Sequence, residues 1–237
     1  MRVKNFSSIA LSDWDLTFSK DFTIKPWVEF LASRNFFNPK ELNNIKCYFK
    51  KFDKFRIPYE DLCTKVGFSY CRGLKGQTRH QITEAAKSFC SSGNLQLYSF
   101  AHKAIFSLHA RGIEVVVITG APVEPLRVFS SRFKFKLVGG LIPKISPQNY
   151  YTGELLINSG ISIEKERLVK RVTKNRKVVI AFGDSESDLP LINPAQLGIM
   201  VGSPQMCSER IEAKHIRYFT PQELSETIES IIFGIHL

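Results

Sequence analysis

Ser8-Ile9-Ala10-Leu11-Ser12-Asp13-Trp14-Asp15-Leu16-Thr17 is the stretch on which the reading of this chain turns. Its apolar run, Ser8 to Leu11, has the length of a buried strand and ends in two acids two residues apart. Where an extended backbone curls into a loop, both carboxylates reach one small volume, and two anions resist that unless a cation lies between them. Mg2+ suits such a place, being a hard ion held by one or two carboxylates, a carbonyl, waters and substrate phosphate. The plainer reading is a strand-ending turn in which the acids cap backbone amides.

Working outward, three more apolar runs end in small polar or acidic residues. Ile113 to Ile118 ends at Thr119-Gly120-Ala121-Pro122, Lys177 to Phe182 at Gly183-Asp184-Ser185-Glu186-Ser187-Asp188, and Leu197 to Val201 at Gly202-Ser203-Pro204. Helical patterns separate them: Leu95 to Arg111, Val123 to Phe133, Ile163 to Thr173, and Pro221 to Ile232, the last with Thr220 as N-cap. Strands alternating with helices predict an α/β fold, a Rossmann-like and mostly parallel sheet with helices on both faces. Ligands of such sheets sit at the C-terminal ends of the strands, where Asp13, Asp15, Thr119, Asp184 and Asp188 all fall.

About a hundred residues separate the first two strands, far more than one crossover requires. Residues 18–93 are therefore expected to form an inserted, mainly helical unit, with 1–17 and 94–237 as the catalytic core. The insertion holds 14 Lys+Arg against 7 Asp+Glu, so most of the chain's net charge of +11 lies there. That balance favours an anionic partner: a phosphorylated substrate, nucleic acid or an acidic membrane surface. In its densest part, Lys46 to Arg56, Tyr48, Phe52 and Phe55 recur at helical spacing, which predicts one inward-packing helix face.

Composition excludes other classes. The five cysteines, Cys47, Cys63, Cys71, Cys90 and Cys207, are odd in number and without metal-ligand spacing, so reduced thiols are expected. The five histidines, among them His102 and His109, have no ligand spacing either. A Ser/His/Asp triad lacks its Gly-x-Ser-x-Gly. No apolar run approaches the roughly 20 residues of a membrane span, and Asp13 interrupts the N-terminus before a signal-peptide core of about 7–15 residues can form. A soluble protein of the bacterial cytoplasm is expected, or one acting in a host cell after export.

Asp13-Trp14-Asp15-Leu16-Thr17, Thr119 after Val-Val-Val-Ile, Lys165 in Glu164-Lys165-Glu166-Arg167, and Gly183 to Asp188 resemble, in order, the four motifs of the haloacid dehalogenase superfamily. The insertion between the first two motifs looks like that family's C1 cap, and Tyr151-Thr152-Gly153-Glu154 with Ile163 to Val169 resembles its phosphoserine-phosphatase-like members. The resemblance implies an Mg2+-dependent phosphomonoester hydrolase. Asp13 would be nucleophile and metal ligand. Asp15 would be acid/base and ligate the metal through its carbonyl. Thr119, Gly120 and Lys165 would hold the phosphoryl group, and Asp184 and Asp188 would complete the metal site. One departure stands out: where the phosphoserine enzymes carry a glutamate for the substrate amine, this chain has Phe22, with Asp21 out of phase by one.

The basic cap and the Lys/Asn/Phe-rich usage also resemble a HAD-type tyrosine phosphatase effector of Legionella, which would make a phosphotyrosine protein the substrate. The alternatives are a small-metabolite phosphatase and a non-catalytic adaptor binding nucleic acid or phosphoinositide membrane. Nucleic acid is the less expected partner, because the acids are intact. The apolar ending Ile231 to Leu237 suggests a natural continuation that could itself reach an acidic membrane.

Overall fold

A computed structural model describes residues 7–202 and 214–235. The first strand, β1 (Ser8–Ser12), leads into four helices, α1 (Ile24–Ser33), α2 (Pro39–Phe52), α3 (Tyr59–Leu74) and α4 (Arg79–Ser91). Then follow α5 (Ser99–Ala110), β2 (Glu114–Pro122), α6 (Val123–Phe133), β3 (Lys136–Ile145), β4 (Tyr151–Asn158), α7 (Ser162–Thr173) and β5 (Lys177–Gly183). A 3-10 turn (Glu186–Asp188), α8 (Leu189–Ile192), β6 (Leu197–Val201), β7 (Ile216–Phe219) and α9 (Pro221–Phe233) complete the described chain. Cys207, Ser203-Pro204 and the termini 1–6 and 236–237 lie outside the described residues. The remaining cysteines are free thiols. Among the described residues no helix is long and apolar enough to cross a membrane.

The strands form one sheet in the order β4-β3-β2-β1-β5-β6-β7, parallel throughout except for the β3–β4 pair. β1 sits between β2 and β5, the place where strand order reverses and a crevice opens at the carboxyl ends. Side chains alternate across it: Ile9 and Leu11 pack with Leu168 and Val169 of α7 and with Ile192 of α8, whereas Ala10 belongs to the core with Leu108 of α5 and Leu224 and Ile228 of α9. Each face is thus sealed by helices, which is why these strands read as nearly continuous apolar runs.

Three strands escape the apolar-run criterion. β3 carries Gly139-Gly140 and Pro143, residues that usually punctuate loops. Gly139 is there for space: a Cβ would come within 2.5 Å of Leu168 Cδ1 and 2.6 Å of Ser159 Oγ. β4 pairs antiparallel at the sheet edge and mixes Thr152 and Glu154 with Leu155 and Ile157, and β7 is only four residues long. In α9 Thr220 forms the expected cap, accepting from Glu223 N at 3.2 Å while the Glu223 carboxylate returns to Thr220 N at 2.7 Å.

Residues 18–93 hold α1–α4, so the insertion is helical as its pattern suggests. Phe55 departs from that pattern: α2 ends at Phe52, and Phe55 follows in the left-handed region at φ 53°, 98% exposed. The buried stripe of α2 is Ile45 and Phe49, and Tyr48 and Phe52 are only partly covered. The insertion hangs from a paired stem, in which Tyr98 N donates to Phe18 O and Lys20 N to Gln96 O, both at 2.9 Å. The stem takes residues 95–98 out of the expected helix, so α5 begins at Ser99.

A buried polar chain fastens the insertion to the core. Trp27 Nε1 of α1 donates to Tyr70 Oη of α3 at 2.9 Å, and Tyr70 donates to Glu124 Oε2 of α6 at 2.7 Å. Glu124 Oε1 accepts from Tyr151 of β4 at 3.1 Å. Removing the central hydroxyl, Tyr70→Phe, leaves a buried indole N–H and a buried carboxylate each short of a partner. The expected cost is ~1–3 kcal/mol, read as a melting temperature lower by roughly 2–4 °C per kcal/mol for a chain of this size. An unchanged melting temperature would show that the chain does not hold the two parts together.

Candidate active site

The site begins with the alternation of β1 carried past its end. Trp14, fully buried, faces the core between the rings of Phe129 and Phe135, at 5.4 and 5.3 Å between centroids, so its neighbours Asp13 and Asp15 lie on the other side of the backbone. Asp13 N still pairs with Phe182 O of β5 at 3.0 Å, which fixes its position at the strand end. The chain then turns through Leu16 at φ 60°, and Phe18 N and Ser19 N both donate to Trp14 O at 2.9 Å. A non-glycine residue at positive φ is uncommon, and here it reverses the chain directly beneath the acids.

Four motifs far apart in sequence converge at this point. Lys165, in the first turn of α7 and 1% exposed, extends its Nζ to 2.6 Å from Asp188 Oδ1 and 3.4 Å from Asp13 Oδ1. Asp188 Oδ2 accepts from Asp184 N at 2.9 Å and Ser185 N at 3.2 Å, folding the loop after β5 into a compact turn. Gly183 is required there, because a Cβ would lie 2.3 Å from that of Asp188. Asp184 Oδ1 accepts from Thr17 Oγ1 at 3.1 Å, linking the loops after β1 and β5. Thr119, fully buried at the turn within β2, hydrogen-bonds Asp13 and accepts from Ala121 N at 3.3 Å. Gly120 beside it lies so close to Gly160 that a Cβ would come within 2.9 Å of the Gly160 Cα.

Asp13, Asp184 and Asp188 each present a carboxylate oxygen within 4.8 Å of the others, an all-oxygen donor set of the kind a hard divalent cation takes. Asp15 stands apart from this cluster. Its Oδ1 accepts from Thr23 Oγ1 at 2.5 Å, Thr23 N at 2.9 Å and Ser19 Oγ at 3.4 Å, and Thr23 is itself held by Trp14 Nε1 at 3.1 Å. Both oxygens of Asp188 are engaged with Lys165 and the two amides, so this residue braces the cluster as well as facing it. Glu186 is exposed. Thr23 and Ser19 carry no signature in the sequence, since each is one hydroxyl in a loop without distinctive spacing.

Electrostatics follow from crowding acids out of water. Burial pushes Asp13 up to about 7, Lys165 pulling down while Asp188 and Asp15 push up. Asp15 rises to about 6, again through burial, with the Thr23 hydrogen bonds opposing. Asp184 is held well above the usual carboxylate range by burial and by Asp188 and Asp13. Burial alone would lower Lys165, but Asp13 and Asp188 overcome it and keep the ammonium charged far above neutrality.

This constellation, a strand-end carboxylate beside a buried lysine and a carboxylate cluster, agrees with the family comparison. The model of the haloacid dehalogenase-like hydrolases matches residues 10–193, and the chain belongs to that family. No curated protein matches the chain. Among solved structures it is similar to a phospho-aspartyl intermediate analogue of phosphoserine phosphatase, with a TM-score of 0.64 and 16% identity over 94% of this chain and 97% of that one. It is likewise similar to a substrate-bound phosphoserine phosphatase complex, with a TM-score of 0.61 and 16% identity over 96% and 99%. A protein of unknown function from Bordetella pertussis Tohama I gives a TM-score of 0.66 and 16% identity over 85% and 93%. None of these carries the likeness to Legionella effectors any further.

A carboxyl raised in the fold stabilises it when protonated, an advantage fully present below the unfolded value near 4 and lost as pH rises through the folded value, about 7 for Asp13. In EDTA, Asp13→Asn should therefore raise the melting temperature relative to the parent more at pH 8 than at pH 5. Differential scanning calorimetry of the pair reads this directly. The same difference at both pH values would contradict a strained, ionised Asp13.

Proposed function

We propose that this chain is an Mg2+-dependent phosphate monoester hydrolase acting on small molecules through a phosphoryl group carried by Asp13. The observation that carries the reading is the placement of Lys165: a fully buried ammonium beside a strand-end carboxylate is where the oxygens of a phosphate would be drawn in and oriented. Mg2+, held by Asp13 and Asp184 with Asp188 behind them, would neutralise phosphate charge so that a carboxylate can approach phosphorus.

In this reading a carboxylate oxygen of Asp13 attacks phosphorus, and the bond to the ester oxygen breaks as that oxygen takes a proton from Asp15. Its elevation to about 6 gives Asp15 a protonated fraction near neutral pH, and Oδ1 is pinned by Thr23 and Ser19, which leaves Oδ2 for the transfer. Lys165, Thr119 and the backbone at Gly120 hold the remaining phosphoryl oxygens. Asp15, now ionised, takes a proton from the water that cleaves the aspartyl-phosphate, and phosphate leaves with Asp13 restored.

Small molecules are favoured over a phosphoprotein because residues of the insertion, Phe22, Ile24, Phe49 and Leu62, line the space beside Asp15 that a protein segment would have to enter. The similar solved structures of phosphoserine phosphatase, matched over nearly their whole length, support the same choice. The phosphotyrosine-protein reading rests on the basic cap and the Lys/Asn/Phe-rich usage and stands second.

With p-nitrophenyl phosphate, Asp13→Asn should lower kcat by at least ~10³-fold, and EDTA should abolish activity that Mg2+ restores. Asp15→Asn should release a stoichiometric burst of p-nitrophenol and then stall, because this leaving group needs little protonation while water attack still needs the base. Near-parental turnover by Asp13→Asn, or full activity in EDTA, would overturn the mechanism.

A further inference from the structure

The cavity beside Asp15 lies on the side where, on the hydrolase reading, the ester's leaving group must emerge. Phe22, Ile24 and Phe49 of the cap, Leu62 and Val66 of α3 and Leu141 of β3 supply its walls. Three further lining residues carry polar atoms, and each is already engaged or neutral. Asn158 donates through Nδ2 to Cys63 O at 2.9 Å and accepts at Oδ1 from Gly160 N at 3.2 Å. The Tyr59 hydroxyl is bonded to the Cys63 thiol, and burial raises both, Cys63 to about 11, so neither ionises near neutral pH.

The only charged side chain in the lining is therefore Asp15. An ammonium placed there would lose its water and find one carboxylate, Asp15, whose Oδ1 is already engaged by Thr23 and Ser19. Nearby, Lys25 Nζ lies 5.1 and 4.8 Å from the ring centroids of Phe22 and Phe49 and pairs with Asp21 at 3.1 Å, so these two exposed charges compensate each other.

From this lining, and resting on the hydrolase reading above, we infer that the substrate is a phosphate monoester whose leaving group is uncharged and apolar, and that Phe22 sets this preference. An amino-acid phosphate has the wrong chemistry for the pocket: it would bury both an ammonium and a carboxylate against hydrocarbon.

Propyl phosphate and 2-aminoethyl phosphate test this cleanly, because they are nearly isosteric and differ by a terminal methyl against an ammonium. The Mg2+-loaded protein should prefer propyl phosphate by at least a hundredfold in kcat/KM. Phe22→Glu should raise kcat/KM for 2-aminoethyl phosphate at least tenfold and lower it for propyl phosphate. Phe22 packs on Phe49 at 5.2 Å, so Phe22→Leu serves as the packing control and should keep the parental preference. Equal turnover of the two esters, or preference for the amine, overturns the inference. So does release of p-nitrophenol from p-nitrophenyl phosphate with neither alkyl ester hydrolysed, and that result leaves the hydrolase reading standing. Inactivity on all three esters with Mg2+ would instead remove the hydrolase reading and this inference with it.

Discussion

Lys165 is set against three carboxylates in a space almost closed to water, and the geometry of the site follows from the mismatch. One ammonium cannot balance Asp13, Asp184 and Asp188 together, so burial and mutual repulsion drive Asp13 and Asp184 toward the protonated form. With all three ionised, the excess over the ammonium is two negative charges, the charge of one divalent cation. The backbone supplies the scaffold for this imbalance: β1 delivers Asp13, β5 delivers the loop of Asp184 and Asp188, and α7 delivers Lys165 from the sheet face opposite α5 and α9. Breaking Lys165 from Asp188 would leave both uncompensated in a buried setting, which costs far more than losing an exposed pair such as Lys87–Glu84.

The cap adds what the core lacks. The strand ends offer charge and hydrogen bonds, whereas α1, α2 and α3 bring aromatic and aliphatic groups to the same cleft. The polar strand ends and the apolar helices thus come from two parts of the chain joined through Trp27, Tyr70, Glu124 and Tyr151. The net positive charge of the insertion lies elsewhere, on exposed residues such as Lys50, Lys51, Lys54 and Arg56. Its basicity and its pocket are separate features of one unit.

The central strands were legible because β1, β2, β5 and β6 are buried on both faces, and double burial writes an unbroken apolar run. The clustering of Asp13, Asp184 and Asp188 was legible because polar residues at such strand ends have no packing role. β3 and β4 were not, since Gly139 answers to the bulk of Leu168 and β4 lies at an edge that tolerates Thr152 and Glu154. Phe55 was misplaced because helical spacing continues through Asp53 and Lys54 although the helix stops. Thr23 was invisible because what matters is its meeting with Asp15, eight residues away across a tight loop.

That meeting has a mechanical consequence. Thr23 is the N-cap residue of α1 and belongs to the cap, while Asp15 belongs to the core, and the stem pairing Lys20 to Gln96 and Phe18 to Tyr98 lies between them in the chain. Entry and exit segments clasped in this way tie the hydrogen-bond partner of Asp15 to the insertion and Asp15 itself to the sheet, so any displacement of α1 relative to β1 would be felt first in the Thr23–Asp15 contacts.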